Sequence, residues 1–229
     1  MRFIIREQAY ETPLVAGVYR YEQDGRPTGA VEHWRRTAVT DGYQFLRVDL
    51  DARAAPSGHT YLYHAVVNPD GAVERLKYRF WGAGLDIVGD VVLTETAVTA
   101  TRALNGEDSE QVLDLPKGYR FWFPSVAGLH FAGWRGNEPK TAVTLNGQIG
   151  GPDTLAVQVV DFEYFMLITD FMEMTAAGKV RPYSPCKLSW GEGHWRIIQR
   201  SAENGWPLGM MRDDGLTAVA VQEIWYQNR

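Results

Sequence analysis

Several side chains in this sequence have the type and spacing to do chemistry. Asp161 and Glu163 stand two apart in a strand-like run, as do Asp49 and Asp51, so each pair projects from one strand face. Two carboxyls on one face can serve as acid and base when burial separates their pKa values. They can equally be a solvated strand edge, and we take that reading. His59 and His64 lie five apart on one strand and therefore face opposite sides, so they cannot share an ion. His33, His130 and His194 could meet only through the fold, and structural histidines with no metal site are expected. Cys186 lies between Pro185 and Lys187; the lysine could lower its pKa, yet no partner histidine is identifiable and a small buried hydrophobe is expected. Ser125 lacks the G-x-S-x-G elbow, and Gly82, Gly84 and Gly89 lack both the G-x-G-x-x-G spacing and a β-α-β setting. No catalytic residue, no metal and no cofactor is therefore expected.

Arg75, Lys77 and Arg79 alternate with Leu76, Tyr78 and Phe80, which places three cations on one strand face about 7 Å apart. Such a row could grip a carboxylate or phosphate, for which Arg forks are suited. Burying it without partners would cost several kcal/mol per ion, at about the scale of other buried charges. A solvated outer face is expected instead, unless acids such as Asp49 or Asp51 neutralise the row.

The remaining candidate is aromatic. Residues 117–134, KGYRFWFPSVAGLHFAGW, gather Tyr119, Phe121, Trp122, Phe123, Phe131 and Trp134 into one interval. A cluster this dense is either buried or binds something, because aromatic rings carry the largest apolar surface per residue. Ordinary core is the common fate of such residues. The sharper expectation is that Tyr119, Trp122, Phe123, Phe131 and Trp134 line a ligand site. Ser125 could cap a short helix between Ser125 and Trp134 in which Val126, Leu129, His130 and Gly133 share a face. The stretch reads as a plug, an extended arm and a short helix, set against a sheet.

The elements that must position it are strands. Asn-Gly and Asp-Gly favour the left-handed backbone of tight hairpin turns. Seven such dipeptides occur, beginning at residues 24, 41, 70, 105, 146, 204 and 214, most of them between β-rich runs. Strands are expected at 2–6, 14–22, 28–39, 43–51, 59–67, 72–81, 88–95, 96–104 and 109–115, with a connection at 82–87. After the plug come strands at 140–145, 154–163, 186–190, 194–200, 206–212 and 216–226. Residues 164–174 fit a strand or a helix, and KVRPYSP reads as a loop because of its two prolines. About a dozen strands without long crossovers imply an all-β antiparallel meander, closed as a barrel or curved as a half-barrel around a short aromatic and helical plug. No repeat or linker divides the chain, so a single domain over 1–229 is expected.

Composition narrows the partners. Hydrophobic residues make up 45% and charged residues 22% of the 229, which suits a protein with a sizeable core. Eight Trp and eleven Tyr lean towards β structure and a cavity or interface. A formal charge of −5 argues against nucleic acid as a general partner. The lone cysteine excludes an intrachain disulfide and a Cys-based metal cluster. Arg2, Arg6 and Glu7 break the opening apolar run, so no signal peptide, no membrane span and a cytoplasmic location are expected.

Strand order, Gly29 just past the first hairpin, the central insertion and HWRIIQRSAENGWPLGMMRDDG at 194–215 together resemble bacterial families grouped with the periplasmic lipoprotein carriers. In that last segment Trp206-Pro207-Leu208 and the Asp214 turn are similar to the family's closing hairpin. The resemblance implies an open β half-barrel under a helical plug, able to bind acyl chains, with no catalytic motif to carry over. Three functions remain: a non-catalytic binder of a hydrophobic or lipid-like molecule, a barrel-type cyclase or isomerase acting on an apolar substrate, or a β scaffold for protein interaction.

Overall fold

The computed structural model describes residues 7–56, 58–133, 140–191 and 193–226. The expected strand at 2–6 and the candidate Trp134 lie outside the described residues. Among the described residues sixteen strands form one sheet: β1 Thr12–Gln23, β2 Arg26–Ala38, β3 Gln44–Ala52, β4 His59–Val67, β5 Val73–Gly82, β6 Leu85–Leu93, β7 Ala97–Leu104, β8 Glu107–Asp114, β9 Arg120–Trp122, β10 Thr141–Leu145, β11 Val157–Met166, β12 Met172–Ala176, β13 Lys179–Trp190, β14 His194–Ser201, β15 Pro207–Arg212 and β16 Leu216–Trp225.

Turn chemistry sets most of the connections. Asp24 and Gly25 both take positive φ, at 51° and 73°, as the tight turn between β1 and β2 requires. The Asn105-Gly106 turn repeats this between β7 and β8. The expected connection at 82–87 is instead mostly strand: β5 runs on to Gly82, β6 starts at Leu85, and Ala83-Gly84 makes a two-residue turn with Ala83 at φ 51°. Gly84 carries the signal, without an Asn or Asp before it. Asn146-Gly147 makes no such turn and opens the longer connection from β10 to β11.

Two corrections concern the second half. KVRPYSP is not a loop, because Lys179–Trp190 is one strand holding both prolines. Each proline keeps its carbonyl in use, Pro182 accepting from the Ala202 N–H at 3.0 Å and Pro185 from the Leu167 N–H at 2.9 Å. Their missing N–H groups face the end of β14 and an interruption between β11 and β12, where a ladder bond is not needed. That interruption resolves the ambiguous 164–174: it is strand, then a five-residue outward bulge at 167–171, then strand, all alongside β13.

The strand order is β8-β7-β6-β5-β4-β3-β2-β1-β16-β15-β14-β13-β11-β10-β9, with β12 beside β13. Two meanders thus join at a central seam where β1 pairs antiparallel with β16, from Val15 opposite Trp225 to Gln23 opposite Leu216. The sheet is a curved half-barrel and does not close, since β8 and β9 end the order without pairing. The closed-barrel alternative is thereby excluded. Among the described residues one pair is parallel, β9 with β10, and the plug's turn lies in the connection between them.

Alternation divides the faces. Val48, Tyr63, Leu76, Phe80, Ile87, Val91, Leu188 and Ile198 are buried on the inner face. Arg75, Lys77 and Arg79 lie on the outer face, where the neutralising acids come from β6: Asp90 takes Arg75 in two hydrogen bonds and has Lys77 at 3.8 Å, and Asp86 lies 3.3 Å from Arg79. Asp51 pairs with Arg53 on the same side, and Asp161 and Glu163 are exposed. Among the described residues no helix is long and apolar enough to cross a membrane.

Candidate binding site under the plug

Residues 115–119 join β8 at one end of the sheet order to β9 at the other, passing the β6–β7 turn. The chain then makes a single 3-10 turn, Gly128–Ala132, shorter than the helix expected between Ser125 and Trp134. Gly128 explains part of the shortness. A Cβ there would stand 2.3 Å from the Phe123 carbonyl oxygen, so the backbone doubles back closely upon itself. Ser125 still serves the turn, its Oγ accepting from the Gly128 N–H at 2.8 Å.

The plug divides its aromatic side chains between the halves of the sheet. Trp122, 1% exposed, packs edge-on against Phe162 and Trp190 of the carboxyl-terminal meander, with ring centres 5.5 and 5.7 Å away. Phe123 faces Tyr63 of the amino-terminal meander at 4.8 Å and Phe131 at 6.2 Å. Tyr119 is half-buried near the β6–β7 turn, where its hydroxyl donates to the Thr94 carbonyl at 2.9 Å. Phe123 and Phe131 are therefore neighbours, whereas Trp122 and Tyr119 pack at other places.

Polar groups fasten the plug at both ends of its turn. Glu32 on β2 is fully buried, and its carboxylate accepts from the backbone N–H groups of Val126 at 3.0 Å and Ala127 at 2.9 Å and from the Tyr21 hydroxyl at 2.5 Å. These N–H groups open the turn and have no partner within it, which is where a carboxylate is most favourable. Burial raises the Glu32 pKa above its ordinary value, against the lowering effect of the three bonds. Arg200 on β14 holds the other end, donating to the carbonyls of Leu129 at 2.9 Å and His130 at 3.2 Å, and also to Gly205 and the Tyr164 hydroxyl. Acid and base thus grip one turn from opposite meanders.

Beside the turn, Trp206 donates its indole N–H to Tyr19 at 2.8 Å, and the Tyr19 hydroxyl donates to the Pro207 carbonyl at 2.7 Å. The Trp206 ring has Trp34 at 4.6 Å, His130 at 4.5 Å and the Arg36 guanidinium at 5.1 Å. Trp34 Nε1, Tyr63 Oη and His130 Nδ1 are buried here without a hydrogen-bond partner.

The other sequence candidates fall elsewhere. His59 points inward and His64 outward, as alternation requires. His33 is exposed on the outer face, and His194 lies 3.3 Å from Asp213. Cys186 is buried as a free thiol. Among the described residues no group of three His, Cys, Asp or Glu is placed to hold a metal ion. A groove of about 330 Å³ crosses the outer face between rows that include Arg35 and Arg47 on one side and His33, Asp49 and Leu62 on the other.

Glu32 and Arg200 were not singled out from sequence. A signal existed for Glu32, an acid between Ala30 and Trp34 at inward positions of one strand. Its partners, however, lie 94 and 95 residues away.

No family model and no curated protein matches this chain. Among solved structures it is similar to MucB at 13% identity and a TM-score of 0.35, over 96% of this chain and 56% of that one. It is similar to MucB in complex with MucA(peri) at 13% identity and a TM-score of 0.32, over 95% and 52%. A protein of Parabacteroides distasonis ATCC 8503, assigned provisionally as a lipoprotein, shows 9% identity and a TM-score of 0.35 over 93% and 96%. The chain spans about half the length of MucB. These are distant resemblances between folds and bear on neither ligand nor partner.

Proposed function

We propose that this protein is a non-catalytic binding protein that holds a hydrophobic or lipid-like molecule between the plug and the concave face of a single β domain. The observation that carries the reading is the way the plug is fastened. Its turn is held at two ends by a few polar contacts, from Glu32 and from Arg200, while the surfaces that it covers are aromatic and aliphatic. Shifting the turn breaks few bonds and offers a large apolar surface, which is the requirement for admitting an apolar guest. Tyr119, Trp122, Phe123 and Phe131 would then line the path. Proton-transfer chemistry is less well supported, because Glu32, the acid closest to the plug's turn, already spends its oxygens on three donors.

Protein interaction is the second reading, favoured by the outward bulge. Phe165, Met166, Leu167, Ile168, Phe171 and Met172 are all exposed, Phe171 by 64%. An apolar run of this kind on the surface marks contact sites more often than solvated ones.

The test is native mass spectrometry of gently purified protein, followed by titration with dodecanol while tryptophan emission is recorded. Retained small molecules and a saturable emission change, weakened by Trp122→Ala more than its stability loss accounts for, are expected. If dodecanol leaves the emission unchanged and Trp122→Ala alters stability alone, the plug is core and the binding reading falls.

A further inference from the structure

Arg36 is a cation that the fold holds by neutral groups. It stands near the end of β2, half-buried over the Trp206 ring, with its Nε and Nη2 donating to a neutral acceptor, Gln44 Oε1. Among the described residues no carboxylate forms an ion pair with it, and burial lowers its pKa with nothing opposing. Arg200 approaches from β14, and all its contacts are likewise neutral: three carbonyls and the Tyr164 hydroxyl. Between them His130 presents a buried Nδ1 that has no partner. Among the described residues two guanidiniums and an imidazole converge without an acid, an incomplete electrostatic set, since buried charges are ordinarily paired.

We propose that Arg36, His130 and Arg200, gathered beside Trp206 at the end of the plug's turn, form a site for one oxyanion, a carboxylate or phosphate group. Among the described residues Arg36 Nη1 has no hydrogen-bond partner, so it supplies the free donors, Arg200 supplies field more than bonds, and His130 supplies the third contact. Its imidazole is neutral at ordinary pH, its pKa pushed down to about 3 first by burial and then by Arg200 and Arg36, against a hydrogen bond to the Gly205 carbonyl. An anion reverses that field. Nδ1 then takes a proton from solvent and becomes a donor to it.

The anion could be free, or it could be the head of an amphiphile whose chain lies under the plug; the second source rests on the binding reading above. The experiment records the imidazole signals of His130 in ¹⁵N-histidine-labelled protein during titration with inorganic phosphate, laurate or dodecanol, with tryptophan emission followed in parallel. Phosphate or laurate is expected to shift the His130 signals and raise its protonation midpoint, dodecanol is not, and Arg36→Gln is expected to weaken anion binding about tenfold. A stronger response to laurate than to phosphate identifies the amphiphile as the source. If dodecanol and laurate bind equally and neither anion moves His130, the anion site is wrong while the binding reading stands. If phosphate moves His130 but neither chain compound changes the emission, the site stands for a free anion and the binding reading falls. No response to any probe, or an unchanged response in Arg36→Gln, overturns the proposal. Arg36→Lys keeps the charge and serves if the glutamine variant does not fold; it is expected to lose less than Arg36→Gln.

Discussion

Glu32 and Arg200 do opposite work on one turn, and their energetics differ accordingly. For Glu32 it is burial that sets the sign. Its folded pKa lies above 4.5, so between these values the unfolded chain has already released a proton that the folded chain keeps. The stability this group contributes is therefore fully present below pH 4.5 and is lost as pH rises through the folded pKa. His64, held down to about 4, and His130, held down to about 3, act in the other direction: their contribution is present above 6.5 and lost as pH falls. Comparing Glu32→Gln with the parent isolates the carboxyl from the histidines. The variant is expected to cost about 1–3 kcal/mol at acid pH, since its amide meets N–H groups that want an acceptor. That cost should shrink as pH rises from 4.5, read from urea midpoints at constant slope. A difference that stays constant over this range would mean that Glu32 titrates as an exposed acid.

At the scale of elements, the strands were largely legible and their partners less so. Period-2 alternation and Gly-containing turns locate most hairpins from β1 to β8, because both signals are local, but not the one between β5 and β6, whose turn is Ala83-Gly84. The prolines of β13 misled because proline's missing N–H matters only where a ladder bond is due. Where such bonds fall depends on β11, β12 and β14. The plug's aromatic content was plain in the sequence, while the groups that grip it were hidden by separations of 70 residues or more. One strand-level contact is sharply testable. Gly89 on β6 sits under the Tyr78 ring of β5, and a Cβ there would fall 2.1 Å from its Cζ. The ring cannot swing away freely, as the Tyr78 hydroxyl donates to the Leu155 carbonyl at 2.9 Å. Gly89→Ala is expected to destabilise by about 1–3 kcal/mol in thermal or urea melts. In a Tyr78→Phe background the same change should cost less, because the ring is no longer tethered. Equal costs would show that the backbone yields instead of the ring.

Across the whole molecule, stability should be highest near the seam and lowest at the free edges. β8 is exposed along almost its full length and carries Glu107, Asp108, Glu110 and Asp114, a charged edge that discourages further strand pairing. The 167–171 bulge is exposed as well. Hydrogen exchange is expected to be fastest in β8 and the bulge and slowest in β1, β2 and β16, approaching the rate of global unfolding. Faster exchange at the seam than in β4 and β5 would mean that the two meanders unfold separately, against a single domain.

The seam also sets a schedule for the newly made chain. β1 pairs with β2 as soon as both emerge, but its other edge waits for β16, roughly 200 residues later. At ordinary synthesis rates that wait lasts about 10–40 s, long after hairpins of this kind form. During it, a strand from the middle of the finished sheet is an outermost one, with its N–H and C=O groups bare. β1 holds no proline after Pro13, and only Arg20 and Glu22 carry charge between Leu14 and Gln23. The protective features belong to β8, which is an edge for the life of the protein, and are sparse on β1, which is an edge only while the ribosome is still at work.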